Sequence, residues 1–328
     1  MPIVEVDKLV KRYAGARTNA VDGVSFVIEP GEFFALLGPN GAGKTTIISI
    51  LTTTLAPTDG NVFIAGHDLA RAANRVRREV GIIFQRPSLD MNLTAEENVR
   101  FHAILYGLYP FRPGFALMPR AYRDQVRELA RILGLDDELF KPIKTFSGGM
   151  RRKLEIIRSL MHRPRILFLD EPTLGLDPSS RRTLWQYLVD VRAASGTTIL
   201  LTTHYLEEAE QADRICVIDH GHVVAYGTPE QLKSQLIRDY ILVEADDRSR
   251  LFTELAELGL EFFEQGRHVR VNVAGSQIHA VLKQIQTPLR SVRTHTPTLE
   301  DAYLEIIGRG DAASQVAGDI AIAESGGA

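Results

Sequence analysis

Glycines at three places in Gly38-Pro39-Asn40-Gly41-Ala42-Gly43-Lys44-Thr45 leave a turn whose backbone can face an anion, and the turn ends in an ammonium and a hydroxyl. Backbone N–H groups and a lysine hold phosphates, and the hydroxyl after the lysine can ligate a divalent cation. Much later, Leu167-Phe168-Leu169-Asp170-Glu171 ends an apolar run in two carboxylates. Asp170 suits a hard cation, and Glu171 suits the orientation and deprotonation of a water. A second turn, Phe146-Ser147-Gly148-Gly149-Met150, offers N–H groups and a hydroxyl at the start of a helical pattern. Two consecutive glycines begin a helix poorly unless backbone must approach something closely. Two phosphate turns with one pair of carboxylates imply a site shared between two copies.

The elements that must position these groups alternate from the start to about residue 235, as in an α/β domain. Phe33-Phe34-Ala35-Leu36-Leu37 is expected to be a buried strand entering the first turn, with a helix over Thr46–Leu51 behind it. Val80–Phe84, Ile166–Leu169 and Thr198–Thr202 read as further buried strands. They are followed by Gln85, by Asp170-Glu171 and by His204. Open α/β sheets bind ligands beyond the carboxyl ends of their strands, so all four deliver chemistry to one edge. Over about 87–160 helical periodicity replaces the strands, predicting a mostly helical insert. A smaller α+β domain is expected over 236–308, with strands at Tyr240–Glu244 and Val269–Val273 and helices at Arg248–Leu258, Ile278–Ile285 and Leu299–Ile307. The Gly-, Ala- and Ser-rich stretch 309–328 reads as a disordered tail.

Composition narrows the classes. The 328 residues carry 38 basic and 41 acidic side chains, a net charge of -3, which argues against a general nucleic-acid binder. One cysteine, Cys216 in an apolar run, excludes an intramolecular disulfide and a multi-thiolate zinc site. No signal-peptide pattern opens the chain, and no apolar stretch approaches the roughly 18–20 residues that span a bilayer. The expected location is cytoplasmic.

Several single residues admit two readings. Gln85 either reaches a metal or water or is a surface glutamine. His204 either contacts a terminal phosphate and steadies Glu171 or is structural. Asp177-Pro178 reads as a helix N-cap and first-turn proline, which is compatible with a catalytic role. Tyr13 either stacks on a base or is buried in an edge strand. Arg151, Arg152 and Lys153 add charge near the second turn, with an exposed basic face expected for at least two of them.

Together these motifs, over about residues 3–235, resemble the ATP-binding cassette (ABC) ATPases. In that resemblance Tyr13 is the A-loop aromatic and Gly38–Thr46, including Thr46, the Walker A motif. Gln85 matches the Q-loop, Ser147-Gly148-Gly149 the signature, Ile166–Glu171 Walker B, Leu176-Asp177 the D-loop and His204 the H-switch. The resemblance implies ATP and Mg²⁺ as ligands, with Thr45, Gln85 and Asp170 toward the metal and Glu171, His204 and Gln85 toward catalysis. It also implies a head-to-tail homodimer in which Ser147, Gly148, Gly149 and Asp177 contact the other copy's ATP. Phe146 and Met150 depart from the usual Leu and Gln. Met150 cannot make a glutamine's polar contact. With Pro297-Thr298-Leu299-Glu300-Asp301-Ala302-Tyr303-Leu304, that variant resembles the daunorubicin-resistance type of drug-export ATPase.

The expected function is therefore the ATP-hydrolysing subunit of an exporter of a drug-like or hydrophobic compound. It would sit at the cytoplasmic face of the membrane and act through a separate membrane-spanning permease, with no nucleic acid partner. The aromatic bend Tyr106, Tyr109, Phe111 and Phe115 either meets that permease or packs the insert. The alternative is a soluble ABC-type ATPase acting on nucleic acid or the ribosome.

Overall fold

In the computed structural model, residues 1–84, 88–236, 240–273, 278–295, 298–304 and 306 are described. Strand β3 (Phe33–Leu37) is buried at all five positions, as a parallel strand covered on both faces must be. Its neighbours are β8 (Thr198–Thr203) and β9 (Arg214–Asp219), and the six-stranded sheet runs β10 (His222–Gly227), β9, β3, β8, β7 (Ile166–Asp170), β6 (Val80–Ile83). Strands β9, β3, β8, β7 and β6 are mutually parallel. The register pairs Leu37 with Thr203 and Leu36 with Thr202, while Thr202 also pairs with Asp170. Three adjacent strands thus end at one level, and whatever follows each is delivered to the same edge.

A second sheet, outside the sequence expectation, orders β2 (Val21–Ile28), β1 (Val4–Lys11), β4 (Asp59–Ile64) and β5 (His67–Asp68) in antiparallel pairs. Register shifts after Val6 and Leu9 break the two-residue period of β1, which is why alternation alone does not reveal it. Helix α1 (Lys44–Leu51) contributes Ile47, Ile48, Ile50 and Leu51 to a core shared with Phe34 and Leu36 of the parallel sheet and Val4, Val24 and Phe26 of the antiparallel one. On the other face of β3, Phe33 stacks on Trp185 at 4.9 Å.

Helix α2 (Ala73–Glu79) leads into β6, and the helical region follows. Its helices are α3 (Ala95–Leu105), α4 (Arg120–Ile132) and α5 (Gly148–Leu160). Thr94 and Glu97 form a reciprocal capping box that fixes the start of α3. The aromatic bend divides into packed and partly exposed rings. Tyr109 and Phe115 pack edge-on around buried Tyr122 at 5.4 and 6.2 Å, whereas Phe111 is 60% and Tyr106 43% exposed. Helix α6 (Pro178–Ser195) and the short α7 (Leu206–Ala209) flank β8 in sequence.

The chain divides into two compact units, Met1–Tyr226 and Gly227–Ala328. Helix α8 (Pro229–Leu236) therefore goes with the second unit, not with the first as a boundary at 235 implies. In sequence α8 merely continues the alternation, and only contacts assign it. The second unit runs β11 (Tyr240–Ala245), α9 (Arg248–Glu257), β12 (Phe262–Gln265), β13 (His268–Asn272), α10 (Ile278–Gln284), β14 (Leu289–His295). Its antiparallel sheet has the order β12–β13–β11–β14, a split βαβ arrangement. Ile241, Val243, Val269 and Val271 bury against Leu251 and Leu255 of α9. Residues 299–304 are helical. Gln85, Pro87 at the start of the expected insert, Pro297 and the tail 309–328 lie outside the described residues.

Candidate active site

The turn between β3 and α1 needs its glycines for different reasons. A Cβ on Gly38 would lie 2.2 Å from the Ile218 carbonyl oxygen, and one on Gly43 would lie 2.5 Å from that of Ala20. Gly41 and Gly43 also adopt φ of +85 and +106, the left-handed region. Gly43 is the N-cap of α1, and no side chain caps that end, so the first N–H groups of the helix face outward with its positive dipole end. Lys44 is 5% exposed, and its Nζ donates to the carbonyl oxygens of Gly38 at 2.7 Å and Pro39 at 2.9 Å. Burial pushes the ammonium below its usual range, while Glu171 and Asp170 push it back up.

At the end of β7, Asp170 is 4% exposed and meets two hydroxyls. Thr202 donates to its Oδ1 at 2.7 Å and Thr45 at 3.5 Å. Burial raises the Asp170 carboxyl above its ordinary range; the Thr202 hydrogen bond opposes this and neighbouring Glu171 adds to it. Glu171 leaves the strand with φ +44, a left-handed conformation that a non-glycine residue rarely adopts. Its N–H donates to Thr202 Oγ1 at 3.0 Å, and its Oε1 lies 3.4 Å from His204 Nδ1. Thr202 was not singled out from sequence. The available signal was the pair of hydroxyls, Thr202 and Thr203, that ends a buried strand after the aliphatic run Ile199-Leu200-Leu201.

Tyr13 lies beyond β1, 47% exposed, with its hydroxyl 3.2 Å from Thr46 Oγ1. The buried edge-strand reading of Tyr13 is thereby replaced by an open ring beside the start of α1. Asn40 is exposed at the tip of the turn and Ala42 is buried beneath it. Gln85 lies outside the described residues. The structure therefore brings together Tyr13, the Gly38–Thr46 turn, Asp170, Glu171, Thr202 and His204.

Among the described residues no hydrogen bond joins the Ser147 turn to the Gly38–Thr46 turn. Ser147 is the N-cap of α5, accepting from Met150 N at 3.2 Å, and Ser147 and Gly148 are exposed. A Cβ on Gly149 would come within 3.3 Å of Ser180 Oγ, so this glycine lets the turn approach α6. Asp177 caps α6, accepting from the backbone and hydroxyl groups of both Ser179 and Ser180. Those hydrogen bonds, Ser180 first, hold its carboxyl well below the usual range. Phe146 is 2% exposed and serves as core. Of Arg151, Arg152 and Lys153, at least two of which are expected on an exposed basic face, Arg152 is 6% exposed and turned inward, and Arg151 and Lys153 are half-buried.

The donor set fits a magnesium ion. Thr45 Oγ1 and Asp170 Oδ1 are hard oxygens 3.5 Å apart at the N-terminus of α1, where a phosphate would supply further oxygen ligands. Within one chain, the arrangement can grip a polyphosphate, hold its cation and aim a carboxylate at the terminal phosphate.

The sequence profile of the ABC transporter family matches residues 21–174. The chain is 37% identical over 324 residues to a Nod factor export ATP-binding protein I of Ralstonia nicotianae, covering 94% of each chain. It is 38% identical over 316 residues to a daunorubicin/doxorubicin resistance ATP-binding protein of Streptomyces peucetius, covering 93% of this chain and 92% of that one. Among solved structures, an ATP-binding subunit of an ABC transporter aligns with a TM-score of 0.61 at 33% identity, over 71% of this chain and 92% of the other. An ATP-binding cassette solved as a dimer in a post-hydrolysis state with ADP and Pi gives 0.61 at 27% identity, over 69% and 98%. With the phosphate turn, the carboxylate pair and the second glycine turn placed as described, the chain belongs to the ABC transporter family, among its ATP-binding proteins.

Proposed function

We propose that two copies of this chain close head to tail on two ATP molecules, hydrolyse them, and so drive export of a drug-like or hydrophobic compound through a separate membrane subunit. The observation that carries the reading is the Thr45–Asp170 contact at 3.5 Å, which joins the turn after β3 to the end of β7 at one sheet edge. In this reading Lys44 exchanges its Gly38 and Pro39 acceptors for phosphate oxygens, and Tyr13 lies against the adenine. Thr45, Asp170 and Gln85 hold Mg²⁺. Bound there, the ion neutralises charge on the phosphate oxygens. Glu171 takes the proton of the attacking water, and His204 Nδ1, 3.4 Å away, holds that carboxylate in place.

Ser147, Gly148, Gly149 and Asp177 reach the partner copy's nucleotide. Support for this comes from the exposure of the Ser147 turn and from relatives solved as dimers. No helix among the described residues is long and apolar enough to cross a membrane, so transport needs a membrane partner. Leu105, 85% exposed, and Phe111, 60% exposed, give the helical region an apolar surface suited to that contact at the cytoplasmic face. The export of a hydrophobic compound follows the relatives named for daunorubicin resistance and for Nod factor export.

The test is light scattering of the Glu171→Gln chain with ATP and with ADP. ATP should give a stable two-chain species without turnover, and ADP should not. A monomer at saturating ATP, or wild-type turnover in that variant, overturns the reading.

A further inference from the structure

We infer that Arg152 is a positioning residue for hydrolysis, clamping the backbone that carries Glu171 to the helix that begins with the Ser147 turn. The inference rests on the function proposed above. Arg152 lies on α5, about 7.5 Å along the axis from Ser147 at a rise of about 1.5 Å per residue. Its guanidinium spends its donors almost wholly on backbone. Nε–H donates to Pro172 O at 2.9 Å, Nη1 to Phe84 O at 2.5 Å, and Nη2 to Asp170 O and Glu171 O at 3.4 and 3.5 Å. Nη1 also meets Glu155 Oε2 at 3.0 Å, and Glu155 is 1% exposed.

Three successive carbonyls, of Asp170 at the end of β7 and of Glu171 and Pro172 after it, thus converge on one planar cation. They are the carbonyls of the segment in which Glu171 adopts φ +44. A left-handed non-glycine residue costs about 1–2 kcal/mol and persists only where its surroundings hold it. Thr202 Oγ1 holds the N–H side of Glu171 at 3.0 Å, and Arg152 holds the carbonyl side together with Leu174 N at 3.2 Å. The Phe84 carbonyl, immediately before Gln85, shares the same guanidinium. One side chain therefore joins the approach to Gln85, the Asp170–Glu171 segment and the signature helix. Engagement of the Ser147 turn by a partner's nucleotide shifts α5, and with it the guanidinium that fixes the height of Glu171. Hydrolysis is thereby licensed by closure. A lysine cannot reproduce this, because a point charge does not span a fan of carbonyls as a planar fork does.

The experiment compares full-length wild type, Arg152→Lys, Arg152→Met and Glu171→Gln. Arg152→Lys decides, because it keeps a cation beside buried Glu155 and so avoids stranding that carboxylate. Labelled-ATP binding, melting temperature, kcat and KM are read for each, with ATP-driven dimerisation measured in the Glu171→Gln background. The expected result for Arg152→Lys is kcat lowered about 10- to 100-fold with KM, ATP binding and dimerisation near wild type, as for a misplaced catalytic group. Arg152→Met should lose at least as much kcat. Wild-type kcat in Arg152→Lys overturns the inference, and so does a loss of kcat matched by equal losses of ATP binding and melting temperature. If Glu171→Gln itself turns over normally, the proposed function fails instead, so the two failures are separable.

Discussion

Thr202 and Asp170 are register partners across β8 and β7, and the threonine hydroxyl donates to Asp170 Oδ1 at 2.7 Å while accepting from Glu171 N at 3.0 Å. One hydroxyl thus holds both residues of the carboxylate pair, one by its side chain and the other by its backbone. Thr202→Val keeps the shape and removes both interactions, at a cost of about 1–3 kcal/mol for the buried groups left unpaired. The donated bond favours ionised Asp170, so its loss raises further a carboxyl that burial has already raised. Protonation of Asp170 then begins at higher pH. The acid limb of the Mg²⁺-ATP kcat/KM profile should move upward in pH; an unmoved limb refutes this role for Thr202.

Removing the Lys44 ammonium tests the grip on phosphate. Charge-assisted hydrogen bonds contribute about 1.5–3 kcal/mol each, so Lys44→Ala should bind labelled ATP about 10- to 100-fold more weakly. Binding within a factor of two of wild type would place the phosphates elsewhere.

The glycines of the turn should separate by mechanism. Gly41 has φ +85 but nothing within 4 Å of an added Cβ, so Gly41→Ala should cost only the left-handed strain, about 1–2 kcal/mol, and remain folded. Gly43→Ala adds a 2.5 Å clash with the Ala20 backbone to its own positive φ. It should lose far more melting temperature than Gly41→Ala, and equal melting temperatures would contradict the packing described.

His102 gives the helical region an acid sensitivity. Burial, then the Arg158 and His162 charges, push its proton affinity down to about 3. The unfolded chain takes up that proton near pH 6.5, so below this pH the unfolded state binds more protons and stability falls as pH falls toward 3. At pH 5 the loss is about 2 kcal/mol. His102→Phe keeps a ring against Tyr106, 4.3 Å away in the wild type, and should remove this part of the loss. Urea midpoints at pH 7.5 and 5 measure it, and identical pH dependence in the two proteins would exclude His102 as the source.

The sequence by itself determined the chemistry. The turn Gly38–Thr45 and the Asp170–Glu171 pair are contiguous stretches, and their meaning depends on residue type and on the strands that precede them. Buried parallel strands are also legible, since β3 and β7 are apolar along almost their whole length and β8 carries the apolar run Ile199-Leu200-Leu201 between threonines. What lies between distant segments was not legible. The irregular β1 hides an antiparallel sheet because its register shifts break the alternating period. Thr202 became a site residue only through a register partner 32 positions away. Arg152 stood in a run of three cations, Arg151-Arg152-Lys153, and a charge count cannot say which of the three turns inward. Only the tertiary structure decided that, because burying a guanidinium requires a set of carbonyls, and those of Phe84, Asp170, Glu171 and Pro172 come from two strand ends that the sheet places side by side.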